Sequence, residues 1–294
     1  MTGSYHIGAT AFEAPSLTAG LYLVATPIGN LGDVTIRALE TLSACDVIYC
    51  EDTRVSVRLL DRYGIKKPLK PLHDHNEADL SPKLVNDIEA GQSLCLVSDA
   101  GTPLISDPGY RLVKACAEAG VLVTSIPGAS AVPTALQLSG LATDRFTFVG
   151  FLPQTSATRR QLLEELGATP STLVAYESPH RLRDALADIA ALYPTRAVAM
   201  ARELTKLHEE VLRGTASDIL QQLSTRETIK GECVLVIAGQ TETPQDLDAE
   251  QIARIIADAA AAMPASKAAQ QVAKLTGLSR DEAFARILKL KGKT

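Results

Sequence analysis

A short apolar run at residues 93–97 stops at the segment SDAGTPLISDPG, residues 98–109. Two aspartates, two glycines and two prolines in this segment require special backbone angles, exposed amide groups and fixed carboxylates. The run itself is typical of a buried strand, and open α/β sheets bind ligands at the carboxyl ends of their strands. The segment therefore predicts an α/β protein with a ligand site at the end of this strand.

The same composition recurs after two other predicted strands. The segment TPIGNLGD, residues 26–33, follows a strand at 21–25, and PGASA, residues 127–131, follows a strand at 121–126. Gly101 and Gly128 allow close approach of backbone, and a helix starting at Ala129 offers free N–H groups to an anion. Three strand-end loops of this kind predict one shared pocket.

Strand and helix patterns alternate from residue 21 onward, which favours right-handed βαβ crossovers and a largely parallel sheet. Strands are predicted at 21–25, 46–50, 68–72, 93–98 and 121–126. The intervening helices are predicted at 35–42, 56–62, 81–90 and 110–119, with a further helix at 129–138.

A second set of elements begins at residue 146, after the segment GLATD at 140–144. Strands are predicted at 146–150, 172–177, 197–202, 209–213 and 232–238, with helices at 159–166, 181–192 and 216–223. The fold class is therefore α/β, with mixed or largely parallel sheets in two domains and a small helical module. We expect a flexible tail at 1–20, an N-terminal domain at 21–142, a C-terminal domain at 143–241 and the helical module at 246–294.

The predicted helical module carries a charge opposite to that of the rest. Residues 266–294 contain seven basic and two acidic side chains, so a net charge of −5 divides into +5 there and −10 elsewhere. Such a basic end indicates an anionic partner, although an ordinary solvated helix face has the same charge. Its three short helices resemble a helix-turn-helix module, and a bundle packed on the body or on a partner subunit fits equally well.

Several functional classes are disfavoured by what the sequence lacks. Tryptophan is absent and aromatic residues make up 4%, which argues against an aromatic platform for stacked bases. The sequence has no apolar run long enough for a membrane helix, no leader pattern, no phosphate-binding G-x-x-x-x-G-K-[ST] loop and no G-x-S-x-G elbow. Five scattered cysteines without zinc or redox spacing predict reduced, buried thiols in a cytoplasmic protein.

The segment HDHNE, residues 73–77, is a candidate for substrate contact. Two histidines two positions apart share a face only on a strand, and no second cluster completes a coordination sphere. We therefore expect no metal site and interpret this loop as a contact for a polar substrate.

Charged residues at other strand ends have two interpretations each. Asp52 or Thr53 can cap a helix, or the segment EDTR at 51–54 can present a carboxylate and a guanidinium to the pocket. Arg181, Arg202 and Lys206 are expected on one rim that suits a phosphate backbone. Alternatively, Glu177 and Glu203 pair with these cations and hold the domains together.

Arg159 and Arg160 lie at a predicted helix start, where positive charge opposes the helix dipole. This mismatch favours surface contact with an anion for both side chains.

Six motifs in order give these residues a family resemblance. They occupy residues 23–33, 50–54, 98–109, 127–131, 177–181 and 201–206. On these motifs the chain resembles the tetrapyrrole-methylase-like superfamily of S-adenosylmethionine-dependent methyltransferases, and within it the 16S ribosomal RNA cytidine 2′-O-methyltransferases. The resemblance covers about residues 21–240 and is weakest beyond 245.

The resemblance implies a homodimer whose protomers each have two α/β domains with S-adenosylmethionine bound between them. The cofactor-binding residues that it implies are Pro27, Asp99, Gly101, Thr102, Ser130 and Ala131, with backbone near Met200 and Gly231 closing the pocket. A zwitterionic amino-acid end requires amide donors and a carboxylate, which these loops contain.

The implied reaction is methyl transfer to the ribose 2′-hydroxyl of a cytidine in the decoding region of 16S rRNA in the small ribosomal subunit. Holding the donor's methyl group in line with the attacking hydroxyl can supply much of the rate acceleration. The hydroxyl must also lose its proton during the reaction, so a general base can take part. Candidates for that base are Asp33, Asp52 and His75, in that order. Phosphates would contact Arg54, Arg181 and Arg202, while the basic end would dock to folded RNA.

Three alternatives stay open at this point. The same scaffold can methylate a tetrapyrrole precursor, which is also anionic. A catalytically silent ribosome-assembly factor would bind RNA and tolerate loss of Asp99. A nicotinamide oxidoreductase could use Gly29, Gly32 and Glu51, but the full glycine fingerprint is missing.

Overall fold

The N-terminal segment is a hairpin docked on the first domain. The computed structural model describes residues 3–240 and 249–292. Strands β1 (Ser4–Ile7) and β2 (Thr10–Glu13) pair antiparallel around a two-residue turn that begins at Gly8, with φ +62°. Tyr5 is buried in the core of the N-terminal domain. The described part of 1–20 thus differs from the expected flexible tail, because Tyr5 gives it an apolar anchor.

The N-terminal domain is a doubly covered parallel sheet. Its strands are β3 (Gly20–Val24), β4 (Val47–Cys50), β5 (Leu69–Pro71), β6 (Ser93–Val97) and β7 (Val123–Ile126), in the order β5-β4-β6-β3-β7. The helices are α1 (Ile36–Ala44), α2 (Thr53–Arg62), α3 (Glu77–Glu89) and α4 (Tyr110–Glu118), followed by α5 (Ala131–Ser139). Each strand begins and ends within two residues of its predicted bounds.

Alternating side chains of these strands fill two cores. Tyr22, Ile48 and Val97 pack with α1 and α2, whereas Leu21 and Leu96 pack with α3 and α4. A parallel strand buried on both faces reads as a continuous apolar run, which explains why the sequence located these strands well.

The C-terminal domain contains a mixed sheet. Its elements are β8 (Phe146–Phe151), α6 (Ser156–Gly167), β9 (Thr172–Glu177), α7 (Leu182–Leu192), β10 (Ala197–Arg202), β11 (Glu210–Thr215), α8 (Ala216–Leu223) and β12 (Cys233–Ile237). The strand order is β11-β10-β12-β9-β8, and only the β8–β9 pair is parallel. The predicted α/β class with mixed or largely parallel sheets is confirmed.

Helix α5 links the two domains. It precedes the predicted junction at 142–143, yet Val132 and Leu136 pack with Ala199 and Val236 on the second sheet. The opposite face of that sheet packs against α6, α7 and α8. The carboxyl ends of the first sheet and one face of the second therefore meet around the start of α5.

Within residues 249–292, the C-terminal module contains three short helices, α9 (Ala249–Ala262), α10 (Ala265–Thr276) and α11 (Arg280–Lys291). Ile256, Val272 and Ile287 form part of their common core. Helix α10 ends at Thr276, and its C-cap Gly277 has the left-handed conformation that glycine adopts without steric cost. The predicted boundary at 241–246 lies outside the described residues.

No helix among the described residues is long and apolar enough to span a membrane. All five cysteines are buried, as expected, and the structure forms no disulfide between them.

Candidate active site

The three strand-end loops are joined by hydrogen bonds. Thr26 and Gly101 exchange two backbone hydrogen bonds, with N···O distances of 2.8 and 3.0 Å. The Thr102 hydroxyl donates to the Ala129 carbonyl at 3.2 Å. The loops after β3, β6 and β7 therefore form one surface, as their composition predicted.

Two glycines permit this close approach. Gly101 has φ +85°, and a Cβ there would lie 3.2 Å from the Ile28 side chain. A Cβ on Gly128 would lie 3.0 Å from the Ala25 Cβ. Larger residues at these positions would push the loops apart.

A cavity of about 340 Å³ lies between these loops and the second sheet. We call it the interdomain cavity. Its walls come from the β6 loop, the start of α5, and residues of β9 and β12. Its lining includes Gly101, Thr102, Ile105, Ser106, Asp107, Ser130, Ala131, Phe151, Tyr176, Ser178, Leu204, Cys233 and Val234.

A second cavity of about 340 Å³ lies beneath helix α2, and we call it the α2 cavity. It extends from the β3 loop into the apolar core of the N-terminal domain, where Leu42 and Leu59 line it. Its polar lining includes Ser56, Arg58 and Lys206.

The two cavities share one wall. Ile28, Asp99, Ala100 and Glu232 line both of them. The Asp99 carboxylate accepts the backbone N–H of Asp52 at 3.0 Å, which orients it at this wall. Two ligands bound side by side would therefore meet at Asp99.

The turn after β10, in the second domain, packs against the β3 loop at one side of the site. The Asn30 backbone N–H donates to the Thr205 hydroxyl at 3.2 Å. A Cβ on Gly29 would lie 2.5 Å from the Lys206 Cγ, so only glycine fits without a shift there. Gly29 therefore allows the two domains to approach each other closely. This packing role explains the glycine without a dinucleotide-binding loop.

Backbone strain concentrates at this junction. Leu104 and Ser106 in the β6 loop, and Glu203 and Thr205 in the turn after β10, have φ between +52° and +71°. Such angles cost about 1–3 kcal/mol for residues other than glycine and persist where the surrounding structure imposes them, commonly at ligand sites.

The interdomain cavity carries an unpaired carboxyl group with altered acidity. Asp107 makes no ion pair or hydrogen bond with the described residues. Burial, followed by the charges of Glu51, Asp99 and Asp74, raises the pKa of Asp107 to about 7. Burial, with Asp107 and Glu232 nearby, also raises the pKa of Tyr176 to about 12. This cavity therefore has an acidic, partly desolvated wall.

None of the three expected bases lines either cavity. Asp33 is exposed in a short 3-10 turn, and His75 is exposed in the loop after β5. Asp52 caps α2 by accepting the Arg54 N–H at 2.8 Å. Hydrogen bonds from Arg54 lower the pKa of Asp52 to about 2, which makes it a poor proton acceptor near neutral pH. The capping interpretation of this segment is the one that the geometry supports.

Most of the expected cofactor residues surround the two cavities. Pro27 lines the α2 cavity, Asp99 lines both, and Gly101, Thr102, Ser130 and Ala131 line the interdomain cavity. Met200 is fully buried on the opposite face of the second sheet, so only its backbone is available. Gly231 lies outside both linings, whereas Glu232, Cys233 and Val234 take part.

Arg159 is not the surface cation that its position predicted. Its guanidinium is buried and pairs with Asp188 of α7 at 2.6 Å, while the Pro153 and Gln154 carbonyls accept its other hydrogens. Helix α6 begins at Ser156, three residues earlier than expected, which turns this residue inward. Arg160 is exposed, and its contact with an anion stays a prediction.

The other expected cations are neutralised by carboxylates. Arg54 pairs with Asp52, Arg181 with Glu177, Arg202 with Glu210, and Lys206 with Glu203 and Glu232. The predicted Glu177 and Glu203 pairs both form. Both lie within the second domain, so they do not join the two domains.

Sequence reasoning missed four residues of the cavities. Arg58 and Ser56 were hidden because they lie inside helix α2, away from the strand ends. Tyr176 and Phe151 belong to strands β9 and β8, and their rings lie 5.4 Å apart in an edge-to-face contact. Asp107 was visible in the β6 loop, but its raised pKa depends on its burial and on the charges of Glu51, Asp99 and Asp74, two of which come from other segments.

No group of three histidine, cysteine, aspartate or glutamate side chains in the described ranges is arranged to hold a metal ion. The rings of His73 and His75 lie 5.9 Å apart, in an edge-to-face contact.

Comparison with known proteins identifies the family. The Tetrapyrrole (Corrin/Porphyrin) Methylases profile matches residues 20–220, and the RsmI C-terminal HTH domain profile matches residues 245–291. The methyltransferase CobJ has a similar structure, with a TM-score of 0.58 at 17% identity over 76% of this chain and 95% of that one.

Curated relatives extend over nearly the whole chain. A ribosomal RNA small subunit methyltransferase I from Mesorhizobium japonicum is 49% identical over 97% of both chains. The protein of the same name from Escherichia coli O157:H7 is 45% identical over 92% of this chain and 96% of its own. This chain therefore belongs to the ribosomal RNA small subunit methyltransferase I family and has the fold of the tetrapyrrole methylases.

Proposed function

We propose that this protein transfers a methyl group from S-adenosylmethionine to the ribose 2′-hydroxyl of a cytidine in the decoding region of 16S rRNA, within the small ribosomal subunit. The observation that carries the proposal is the near full-length match to relatives that are named for small subunit rRNA methylation. The similarity to a tetrapyrrole enzyme is limited to the fold, because the uroporphyrin-III-C-methyltransferase of Thermus thermophilus shares only 20% sequence identity with this chain.

The chemistry of the interdomain cavity fits this methyl donor. Helix α5 begins at Ala131, and its N-cap residue Ser130 makes no side-chain cap hydrogen bond, which leaves the first N–H groups of the helix available for the donor's carboxylate. Asp107 offers a carboxylate to the donor's cationic groups, and the rings of Phe151 and Tyr176 offer an apolar wall to its purine. Bound S-adenosylmethionine would supply a methyl group that its sulfonium already activates.

Asp99 is our assignment for the residue that accepts the proton of the ribose hydroxyl. It lies on the wall common to both cavities, where its orientation is fixed by the Asp52 N–H. The hydroxyl oxygen gains the methyl group and releases its proton, which this carboxylate can take up. Asp99 was expected only to contact the cofactor, and the shared wall supports the additional role.

RNA binding is assigned in part to the C-terminal module. Helix α11 ends with Lys289 and Lys291, in a segment whose net charge is +5. The match to a helix-turn-helix profile supports a nucleic-acid contact there. We further propose that the protein acts in the cytoplasm, where ribosomal subunits mature, and that it forms a homodimer.

Donor affinity is expected to depend on the protonation of Asp107. Its raised pKa makes this side chain neutral below about pH 7 and negative above it. The donor is cationic, so its affinity should rise about twentyfold from about pH 5.5 to about pH 7.5 if one carboxylate governs binding. Equilibrium dialysis across this range measures the profile.

Asp107→Asn should bind the donor weakly, with a flat pH profile, because its side chain stays neutral. Asp33→Asn is the matched control, since Asp33 lies outside both cavities. A pH-dependent affinity that survives in Asp107→Asn would assign the titration to another group.

The class of methyl acceptor is tested by incubating the same protein preparation with small ribosomal subunits and with a tetrapyrrole in separate reactions. We expect labelled methyl transfer to undermethylated small ribosomal subunits and none to uroporphyrinogen III. Transfer to the tetrapyrrole alone would replace the proposed function with the alternative. Donor binding without transfer to either would support a catalytically silent assembly factor.

A further inference from the structure

The α2 cavity has the chemistry of a site for a planar ring with a polar edge. Leu42, Ile48 and Leu59 give it an apolar floor. The Ser56 hydroxyl in its lining is buried and makes no hydrogen bond of ordinary geometry, although it lies near the Cys50 thiol. A buried hydroxyl without a partner costs free energy, so a ligand that hydrogen-bonds to it is favoured.

The cations around the cavities differ in whether a carboxylate neutralises them. Lys206 lines the α2 cavity but contacts Glu203 at 2.8 Å and Glu232 at 3.2 Å. Arg58 also lines it, is exposed, and makes no ion pair or hydrogen bond with residues 3–240 or 249–292. The Asp52 carboxylate interacts with Arg58 electrostatically but makes its hydrogen bonds to Arg54, so the Arg58 guanidinium keeps its hydrogen-bond donors available for an anion.

The charges that line the two cavities differ, because the α2 cavity shares Asp99 and Glu232 with the interdomain cavity but adds Arg58 and Lys206. The interdomain cavity is lined by Asp99, Asp107, Glu177 and Glu232, and its described lining includes no lysine or arginine. A phosphate would be repelled there, whereas a cationic donor would be attracted. At the α2 cavity, Arg58 offers the fork geometry that suits phosphate oxygens.

We propose that the α2 cavity is the acceptor subsite, which receives one nucleoside turned out of the RNA strand while Arg58 binds its phosphate. The inference rests on the proposed function and adds the place of the acceptor and a residue that holds it. Enzymes that do chemistry on a base commonly place the extruded base between apolar side chains and read its polar edge by hydrogen bonds, and a pocket of this kind would also hold the base of a nucleotide that is modified on its ribose. The shared wall then sets the ribose beside Asp99 and next to the donor.

The first test measures binding of cytidine 5′-monophosphate in the presence of S-adenosylhomocysteine. We expect Arg58→Ala to weaken this binding at least tenfold, because it removes a charge-assisted contact. Arg62→Ala is the matched control, since Arg62 is an exposed cation one turn further along α2 and does not line the cavity. This binding readout is independent of methyl transfer, so failure of the proposed function would be seen separately. Equal effects of the two variants, or none, would overturn the assignment of Arg58.

The second test fills the cavity. Ser56→Leu should abolish binding of cytidine 5′-monophosphate and leave the affinity for S-adenosylmethionine within about twofold, because donor and acceptor occupy different cavities. Ser56→Ala keeps the fold and removes only the hydroxyl, so it separates a lost contact from a damaged core. Loss of donor binding in Ser56→Leu, with nucleotide binding retained, would reverse the assignment of the two cavities.

With ribosomal subunits as substrate, Arg58→Ala should also lower the salt dependence of binding. One lost phosphate contact reduces the slope of log affinity against log salt by about 0.7 for single-stranded RNA. An unchanged slope would mean that Arg58 does not bind a phosphate.

Discussion

Asp99→Asn is expected to lower the turnover of methyl transfer about a hundredfold or more while the protein stays folded. Asparagine keeps an oxygen that can accept the Asp52 N–H, so the wall between the cavities is preserved. The amide cannot accept the proton of the ribose hydroxyl, and a positioned general base contributes about 10²–10⁴ in rate. Single-turnover kinetics with donor and RNA both saturating measure this loss directly.

Asp52→Asn is the matched control for Asp99→Asn. Asp52 is the N-cap of α2, and Asp99 accepts its backbone N–H, so the two side chains lie at the same helix start. Asparagine is as good an N-cap as aspartate, so Asp52→Asn should preserve this helix start. We expect its turnover to stay within about twofold of the unmodified enzyme. If Asp99→Asn kept full turnover, the carboxylate would have no part in proton transfer, and another group would have to accept the proton.

Arg159→Leu is expected to destabilise the C-terminal domain by about 3–5 kcal/mol, since it leaves the buried Asp188 carboxylate without its cation. The side chain of Arg159 is only 3% exposed, so solvent cannot compensate. Urea unfolding followed by circular dichroism measures the loss. Adding Asp188→Leu should restore much of the stability, because the double variant leaves neither charge buried.

Arg160→Leu is the control one residue further along. Arg160 is exposed, so its substitution should change stability by less than about 0.5 kcal/mol. A similar small change for Arg159→Leu would show that the ion pair contributes little to the fold.

These two arginines show which kind of contact the sequence did not predict. Their shared position in a helix predicted one role for both, but α6 begins earlier and turns Arg159 toward α7. Asp188 lies 29 residues away in sequence, and nothing local connects the two. Strands were placed well because continuous apolar runs bounded by glycine and proline are a local signal.

Some parts of the candidate site were likewise predictable from the sequence, and others were not. The three strand-end loops were predictable, since the carboxyl ends of parallel strands meet at one edge of a sheet. Asp107 acquires its raised pKa from burial and from carboxylates in its own loop and in two other segments, and Arg58 is distinguished only by the absence of an ion-pair partner among the described residues. Both properties depend on tertiary neighbours, which composition and spacing do not specify.

The most direct test of the central proposal uses undermethylated small ribosomal subunits and S-adenosylmethionine with a deuterated methyl group. After methyl transfer, the RNA is digested to nucleosides and analysed by mass spectrometry. We expect the label on the ribose of cytidine, as 2′-O-methylcytidine, and its loss in Asp99→Asn. Label on a base, or no labelled nucleoside despite donor binding, would contradict the proposed reaction.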